Sequence, residues 1–205
     1  MEQIRSFIVI ELPDELRLEL DQLEARLKSG KQRWVKWVNP NSIHLTLKFL
    51  GNITTDRVDG ITRAIEEAAR GIPPFRLEVK DLGVFPNLKR VQVVWVGVSG
   101  EVDKLSQLQQ RLESNLEHLG FAPESRPFTP HLTLARLRNQ ASLDERQRFG
   151  KLIVDTGFEA GTIEVDAISL MRSQLTREGA IYSRISSVRL KKPRKTQGQE
   201  KGGEL

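Results

Sequence analysis

Apolar positions in the first half of the chain alternate between short β-branched runs and stretches with a helical repeat. The run Arg5–Leu12 is apolar and rich in Ile and Val, which is typical of a buried strand. After Pro13, leucines recur every three or four residues, and this spacing predicts a helix that ends at Gly30. The elements predicted next are strands Arg33–Val38 and Ile43–Leu50, with a turn at 39–42 between them, and a helix capped by Thr54 or Thr55 and stopped at 71–74.

The second half of the chain repeats this order of strands and helices. The predicted elements are strands Phe75–Phe85 and Arg90–Val98, a helix Val102–Leu119, a strand His131–Leu137, a short helix Leu143–Phe149, and strands near Phe158–Val165, Ala167–Arg172 and Tyr182–Arg189. Strands and helices mix without a regular βαβ alternation. We therefore predict an α+β fold with mostly antiparallel sheets.

Two of the three histidines begin the same string, His-Leu-Thr-Leu, at His44 and at His131. From composition alone, Leu-Thr-Leu follows a given histidine with a chance of roughly 10⁻³ or less. Because side chains alternate faces along a strand, each histidine shares a face with the threonine two residues later, Thr46 or Thr133. If two duplicated lobes carry the copies, both imidazoles and both hydroxyls meet in a central cleft.

Two facing imidazoles suit the cleavage of a phosphodiester. One neutral ring takes a proton from water, and one protonated ring gives a proton to the leaving ribose oxygen. Threonine hydroxyls can stabilise the charge that develops on the phosphoryl oxygens. Purely structural histidines and a metal site are the alternatives. Two histidines with no cysteine and no neighbouring carboxylate are a poor ligand set, so we expect neither a metal nor a cofactor.

Composition narrows the class of protein. The chain has no cysteine, which excludes disulfides and thiolate chemistry, and no apolar run approaches the roughly 20 residues of a membrane span. A strand-like pattern begins at once, so no signal peptide is predicted and a cytoplasmic location is expected. Most of the formal charge of +5 lies in a Lys- and Gly-rich end. We predict a folded domain at 1–188 and a basic, disordered tail at 189–205.

The paired His-x-Thr-x strings resemble those of the two-histidine phosphoesterases. The surrounding sequence is more closely similar to the bacterial and archaeal RNA 2′,3′-cyclic phosphodiesterases, historically called 2′–5′ RNA ligases. The similarity covers about residues 4–188. The residues that carry it are Arg5–Ile10 with Pro13, Arg33–Val35, His44–Gly51 and Arg126–Arg136.

The resemblance implies a fold, a reaction and a set of roles. The fold would have two pseudo-symmetric lobes with the cleft between them, and the reaction would open the cyclic phosphate to a 2′-phosphate. His44 would be the general acid that protonates O3′, and His131 would be the general base that activates water. Thr46 and Thr133 would hold the phosphate, and Arg136 would contact the phosphate or the terminal nucleotide. The expected partner is RNA with a 2′,3′-cyclic phosphate end, tRNA fragments among the candidates, and nothing in the sequence predicts more than a monomer.

Strand parity conflicts with one of these roles. In a regular strand from His131, residue 136 points away from the cleft, so the strand must end, bulge or twist for Arg136 to reach the site. Phe49 has the same parity relative to His44, and we predict that it lies in the core. Trp34 and Trp37, three residues apart, should face opposite ways in their strand, and packing is favoured over base stacking for both.

Three other functions remain open. The same residues could join RNA ends through 2′–5′ linkages, because a catalyst accelerates both directions of a reaction. The chain could also be an RNA-binding module without turnover, although both intact His-x-Thr pairs weigh against that. A phosphodiesterase for a small cyclic phosphate, derived from ADP-ribose or a nucleotide, is the third possibility.

Overall fold

The computed structural model describes residues 2–28, 32–176 and 180–191. Within them lie nine strands, β1 (Gln3–Glu11), β2 (Val35–Trp37), β3 (His44–Thr54), β4 (Phe75–Phe85), β5 (Val93–Gly100), β6 (His131–Leu137), β7 (Glu159–Val165), β8 (Ala167–Leu175) and β9 (Ala180–Arg189). Four α-helices accompany them, α1 (Asp14–Leu27), α2 (Val58–Ala69), α3 (Val102–Glu117) and α4 (Leu143–Asp155).

The strands form two antiparallel sheets. Sheet A has the order β3-β1-β8-β9, and sheet B has the order β2-β6-β5-β4-β7. The chain leaves sheet B at the end of β2 and enters sheet A at β3 after six residues, which include a 3₁₀ turn at Pro40–Ser42. The α+β class and the antiparallel sheets predicted from the sequence are confirmed.

A helix pair lies against each sheet. In sheet A, Lys48 of β3 binds Glu113 of α3, and Thr62 of α2 hydrogen-bonds Ser186 of β9 at 2.9 Å. Against sheet B, α1 contacts β7 and α4 contacts β4. The two sheets meet where β3 and β6 approach each other, with Cα atoms within 8 Å. The molecule thus has two lobes, and the leucine-rich faces of the helices join both sheets in one apolar core.

Several element boundaries differ from the prediction. Helix α4 continues six residues past Phe149 to Asp155, because Ile153 adds another buried turn against the sheet. Neither Thr54 nor Thr55 caps α2; a 3₁₀ turn at Thr55–Arg57 precedes the helix, and the N-cap position is Arg57. Strand β2 contains only Val35–Trp37, since residues 33 and 34 lie in a turn.

The chain ends of the described part bear on the predicted domain limits. Strand β9 extends to Arg189, and Leu190 is buried with its N–H bonded to the carbonyl of Asp166 at 2.7 Å. The rest of the predicted tail, residues 192–205, lies outside the described residues, as does Gly30. Within the described part, no helix has the length and apolarity that a membrane crossing requires.

Candidate active site

The two histidines occupy equivalent positions at the starts of β3 and β6. The Nδ1 atom of His44 lies 2.8 Å from the carbonyl oxygen of Ser42, and that of His131 lies 2.7 Å from the carbonyl oxygen of Thr129. A carbonyl can only accept, so Nδ1 carries the proton in both rings. In the neutral form of each ring, Nε2 is therefore the basic atom, available for proton transfer.

Each histidine strand carries a β-bulge at the same place in the motif. In the ladder between β1 and β3, Val9 pairs with Thr46 and Ile8 pairs with Lys48, which leaves Leu47 as the extra residue. In the ladder between β5 and β6, Trp95 pairs with Thr133 and Val94 pairs with Ala135, which leaves Leu134 as the extra residue. The two residues at each bulge are both buried, because an extra residue shifts the alternation of the strand.

The bulge places Arg136 on the same face as the catalytic candidates. His131 and Thr133 are half-buried, Leu134 and Ala135 are buried, and Arg136 is exposed. Of the three possibilities predicted for the strand before Arg136, an end, a bulge or a twist, the structure has a bulge.

The same bulge makes the prediction for Phe49 wrong. Its side chain is 63% exposed rather than in the core, because the extra Leu47 turns it to the face of His44 and Thr46. Phe49 and Arg136 are equivalent positions of the two repeats.

Aromatic rings surround His44. Its ring centroid lies 4.8 Å from that of Phe7 and 5.2 Å from that of Tyr182, and Phe7 lies 6.2 Å from Phe49. Burial lowers the pKa of His44 from 6.5 to about 4, although the hydrogen bond to Ser42 and the negative charge of Glu11 oppose this change. His44 is therefore neutral at pH 7 in the free protein.

Glu11 lies opposite His44 in the ladder between β1 and β3 and is held in a polar network. Arg184 donates two hydrogen bonds to its carboxylate at 2.8 and 2.9 Å, and Ser169 donates a third at 2.6 Å. The hydrogen bond from Arg184 holds the pKa of Glu11 below its usual value. Glu11 thus remains charged beside His44.

His131 packs against a different pair of rings. Its centroid lies 5.0 Å from that of Phe85 and 6.5 Å from that of Trp95. The indole packs directly on Gly83, since a Cβ built on Gly83 would lie 2.1 Å from the Trp95 ring. Gly97, opposite His131 in the ladder, has no room for a side chain for a different reason, because its Cβ would lie 2.7 Å from the backbone carbonyl oxygen of Lys80.

The hydroxyls of the two threonines have no hydrogen-bond partner among the described residues. Thr46 and Thr133 are half-buried beside the histidines, and neither hydroxyl forms a hydrogen bond within residues 2–28, 32–176 and 180–191. The site side of each lobe therefore presents one imidazole Nε2 and one hydroxyl.

The two tryptophans do not reach this site. The rings of Trp34 and Trp37 both pack edge-on against Phe149 of α4, with centroids 5.4 and 6.2 Å away. The packing role is confirmed, but the expectation that they face opposite ways is wrong, because Trp34 lies in the turn before β2.

Sequence reasoning missed a buried ion pair behind β3. Lys48 is 5% exposed and donates to Glu113 at 2.6 Å and to the carbonyl oxygen of Ala122 at 2.7 Å. Glu113 also accepts from the backbone N–H of Glu124 at 3.1 Å. This pair ties the segment before β6, which leads to His131, to the strand of His44. Regular alternation of side chains along β3 would place Lys48 on the same face as His44. Only the bulge turns it toward the core, so the sequence pattern did not predict a buried lysine.

Within the described part of the chain, no group of three or more His, Asp or Glu side chains is arranged to hold a metal ion, at the histidines or elsewhere.

Known proteins are similar to this chain over most of its length. A curated protein of Methanothermobacter thermautotrophicus named RNA 2′,3′-cyclic phosphodiesterase is 34% identical over 92% of this chain and 100% of its own length. A protein of the same name from Aquifex aeolicus is 36% identical over 72% of this chain and 78% of its own. The crystal structure of E. coli LigT complexed with 3′-AMP superposes with a TM-score of 0.73 at 25% identity, covering 92% of this chain and 99% of LigT.

The family follows from a match that extends across both lobes. The sequence profile of the 2′-5′ RNA ligase superfamily matches residues 12–177, which include both histidine strands and their bulges. The chain belongs to the 2′-5′ RNA ligase superfamily.

Proposed function

We propose that this protein is an RNA 2′,3′-cyclic phosphodiesterase that opens the cyclic phosphate with His44 and His131 as an acid–base pair. The observation that carries the proposal is the duplicated arrangement of a strand-borne histidine whose Nδ1–H is held by a backbone carbonyl. It leaves two Nε2 atoms for two proton transfers. The activity named for relatives that are 34% and 36% identical supports the same reaction.

The proposed reaction uses one water and no redox change. The base takes a proton from water, whose oxygen forms a bond to phosphorus, and the bond from phosphorus to O3′ breaks. The acid gives its proton to O3′, so the product is a 2′-phosphate with a free 3′-hydroxyl. Each proton transfer contributes about 10²–10⁴ in rate. With a ribose 5′-hydroxyl in place of water as the nucleophile, the same attack on phosphorus and departure of O3′ would form a 2′–5′ linkage, as the superfamily name suggests.

The family resemblance makes His44 the acid and His131 the base, and we propose these roles. Since the pKa of His44 is about 4 in the free protein, the acid role requires that His44 take up a proton when substrate binds. The negative charge of the phosphate favours this, because an adjacent anion stabilises the imidazolium and raises the pKa. Glu11, held charged by Arg184, acts in the same direction.

The remaining site residues bind the substrate in this proposal. The hydroxyls of Thr46 and Thr133 donate to the non-bridging phosphoryl oxygens as charge develops on them. Arg136, on the same face two ladder steps beyond Thr133, binds the phosphate or the terminal nucleotide. Phe49, exposed beside Phe7, offers a flat ring on which the terminal base can stack.

The test is hydrolysis of a short RNA that ends in a 2′,3′-cyclic phosphate, in excess EDTA. We expect the wild type to form a 2′-phosphate end, and His44→Ala and His131→Ala each to lower kcat/KM by at least ~10²-fold. His118→Ala is the matched control, because that ring binds the carbonyl of Ser114 within helix α3 and its C-cap. Substantial activity in either alanine variant of the pair would contradict the mechanism. A folded wild type that binds the RNA without turnover would favour a binding module.

A second substrate tests the assignment of roles. An aryl phosphodiester such as bis(4-nitrophenyl) phosphate releases a stable anion, so it needs a base but little help from an acid. The acid-deficient variant should lose much less rate on the aryl ester than on the cyclic phosphate. The base-deficient variant should lose rate on both. If His131→Ala is the variant spared by the aryl ester, the two roles are exchanged.

A further inference from the structure

Lys36 and Arg136 are directly opposite each other in the ladder between β2 and β6. Both side chains are exposed, and residues opposite in an antiparallel pair project from the same face with their Cβ atoms about 5 Å apart. That face is the one of His131 and Thr133. Two like charges in this position repel each other and weaken the sheet, unless an anion lies between them.

No described carboxylate neutralises this pair. Neither Lys36 nor Arg136 forms an ion pair within the described ranges, although ten ion pairs occur there. The acidic side chains that are nearest to Arg136 along the chain are engaged elsewhere. Asp144 lies 3.9 Å from Arg148, and Glu145 closes the capping box of α4 with Ser142.

More cations lie at this end of sheet B. The loop between β4 and β5 runs beside the end of β6, where the N–H of Leu137 donates to the carbonyl of Gln92, and the N–H of Arg138 donates to the carbonyl of Trp34. The exposed basic residues of these segments are Arg33, Lys89, Arg90 and Arg138. A basic surface therefore continues from the Lys36–Arg136 pair away from the histidines.

The distance along the strand identifies which anion fits. From His131 to Arg136 the partner strand β5 advances four residues, from Gly97 to Val93, which is about 13 Å at 3.3 Å per residue. The long side chain of an arginine or lysine can extend back along part of this distance. Its charged group then lies about the length of one nucleotide from a phosphate held at the histidines. The reacting phosphate itself is held by Thr46 and Thr133 in the proposed reaction.

We propose that Lys36 and Arg136 form a second phosphate subsite, which binds the phosphodiester on the 5′ side of the terminal nucleoside. The inference rests on the proposed function and specifies its substrate class. The enzyme prefers an RNA strand of two or more nucleotides over a nucleoside 2′,3′-cyclic monophosphate, because only the strand carries that second phosphate. The basic surface beyond the pair accommodates the strand as it continues.

The test compares a nucleoside 2′,3′-cyclic phosphate with a dinucleotide that ends in the same cyclic phosphate. In the wild type the dinucleotide should have the higher kcat/KM. Lys36→Ala should lower the ratio of the two kcat/KM values roughly tenfold, the size expected for one charge-assisted contact. In the same variant, the slope of log kcat/KM for the dinucleotide against log salt concentration should also be smaller by about one unit. Lys151→Ala, which removes an exposed lysine from α4, is the matched control and should keep the wild-type ratio.

A neutral linkage isolates the contact. Replacing the internal phosphodiester of the dinucleotide by a methylphosphonate should lower kcat/KM of the wild type by more than Lys36→Ala does, because the contacts to Lys36 and to Arg136 both lose their charge. In Lys36→Ala the same replacement should have a roughly tenfold smaller effect, since only the contact to Arg136 remains to be lost. A Lys36→Ala variant that slows both substrates equally would overturn the proposal. So would an unchanged penalty from the methylphosphonate in that variant.

A binding measurement separates this subsite from catalysis. Dinucleotides that end in a 2′-phosphate should bind Lys36→Ala about tenfold more weakly than wild type, and the methylphosphonate form should bind both proteins alike. If the wild type opens no cyclic phosphate, the proposed function is wrong. The difference in dinucleotide binding between wild type and Lys36→Ala would still show whether the subsite exists. Equal binding of the charged dinucleotide to both proteins would overturn the subsite alone.

Discussion

The two lobes share one backbone arrangement and differ in the residues beyond it. Strands β3 and β6 both begin with a histidine whose Nδ1 is held by the carbonyl two residues before it, and both bulge at the fourth residue. After the bulge, β3 exposes Phe49 and β6 exposes Arg136. The two strands thus share the histidine geometry on which the proposed proton transfers depend, while the positions beyond the bulge separate an aromatic side from a cationic side.

The surroundings of the two rings extend this difference. His44 lies against Phe7 and Tyr182 and beside the charged Glu11. His131 lies against Phe85 and against Trp95, whose indole packs on Gly83. The two histidines therefore have different surroundings although their positions in the repeats are equivalent. Different surroundings are what the proposed acid and base roles require.

The largest expected effect concerns the protonation of His44 in the free protein. Because burial lowers its pKa to about 4, we expect the ring to stay neutral through pH 5, a change of about 10² in its protonation constant relative to an ordinary histidine. NMR titration, with the His44 signals assigned from His44→Ala, measures this. Inorganic phosphate should raise the pKa, since it brings negative charge to the ring. A midpoint near 6.5 without ligand would contradict the prediction.

The same pKa makes a prediction for stability. Between pH 6.5 and 4 the unfolded chain binds a proton at His44 that the folded chain excludes, so the free energy of unfolding falls as the pH falls through this window. Above pH 6.5 this group contributes no pH dependence. Denaturant unfolding at several pH values should show a weaker slope in His44→Ala than in wild type.

The threonines test whether the lobes contribute equally to charge stabilisation. Thr46→Val and Thr133→Val keep the shape and remove the hydroxyl, and each should lower kcat/KM for the cyclic phosphate by about 10–10²-fold. Thr62→Val is the control, because its hydroxyl bonds Ser186 on the helix-covered side of sheet A and should affect stability alone. A loss confined to one threonine would show that the phosphate is held by one lobe.

Much of this architecture was predictable from the sequence, because apolar period and turn residues mark most strands and helices. The shared His-Leu-Thr-Leu string located both histidines in equivalent elements. A strand end, bulge or twist was predicted only where Arg136 needed one, and the prediction for Phe49 was wrong because regular alternation was assumed in β3. Alternation is local, whereas a bulge is set by the register with the partner strand. The Lys48–Glu113 pair joins residues far apart in the chain and left no sequence signal.

The packing of Trp95 on Gly83 has no equivalent among the described residues in the lobe of sheet A. In Gly83→Ala the new Cβ would lie 2.1 Å from the indole, so the ring or the strand must move. We expect a loss of about 2 kcal/mol in the free energy of unfolding, measured by denaturant titration. Gly60→Ala in α2, on the lobe of sheet A, meets no atom within 4 Å and should be neutral or stabilising. Equal stability of the two variants would contradict this packing of the indole.

The smallest effects should come from the two residues beyond the bulges, and they should differ in kind. Arg136→Ala should lower kcat/KM for the dinucleotide about tenfold and weaken its salt dependence, because a charge contact is lost. Phe49→Ala should lower it about five-fold, with the salt dependence kept, because stacking on a base is largely independent of charge. Phe49→Trp should retain the activity, since it preserves a flat ring.

An abasic dinucleotide that ends in the cyclic phosphate separates the effects of the two residues, because Phe49→Ala should then match wild type while Arg136→Ala should not. If Phe49→Ala is equally slow on the abasic substrate, the ring supports His44 through Phe7 and does not read the base.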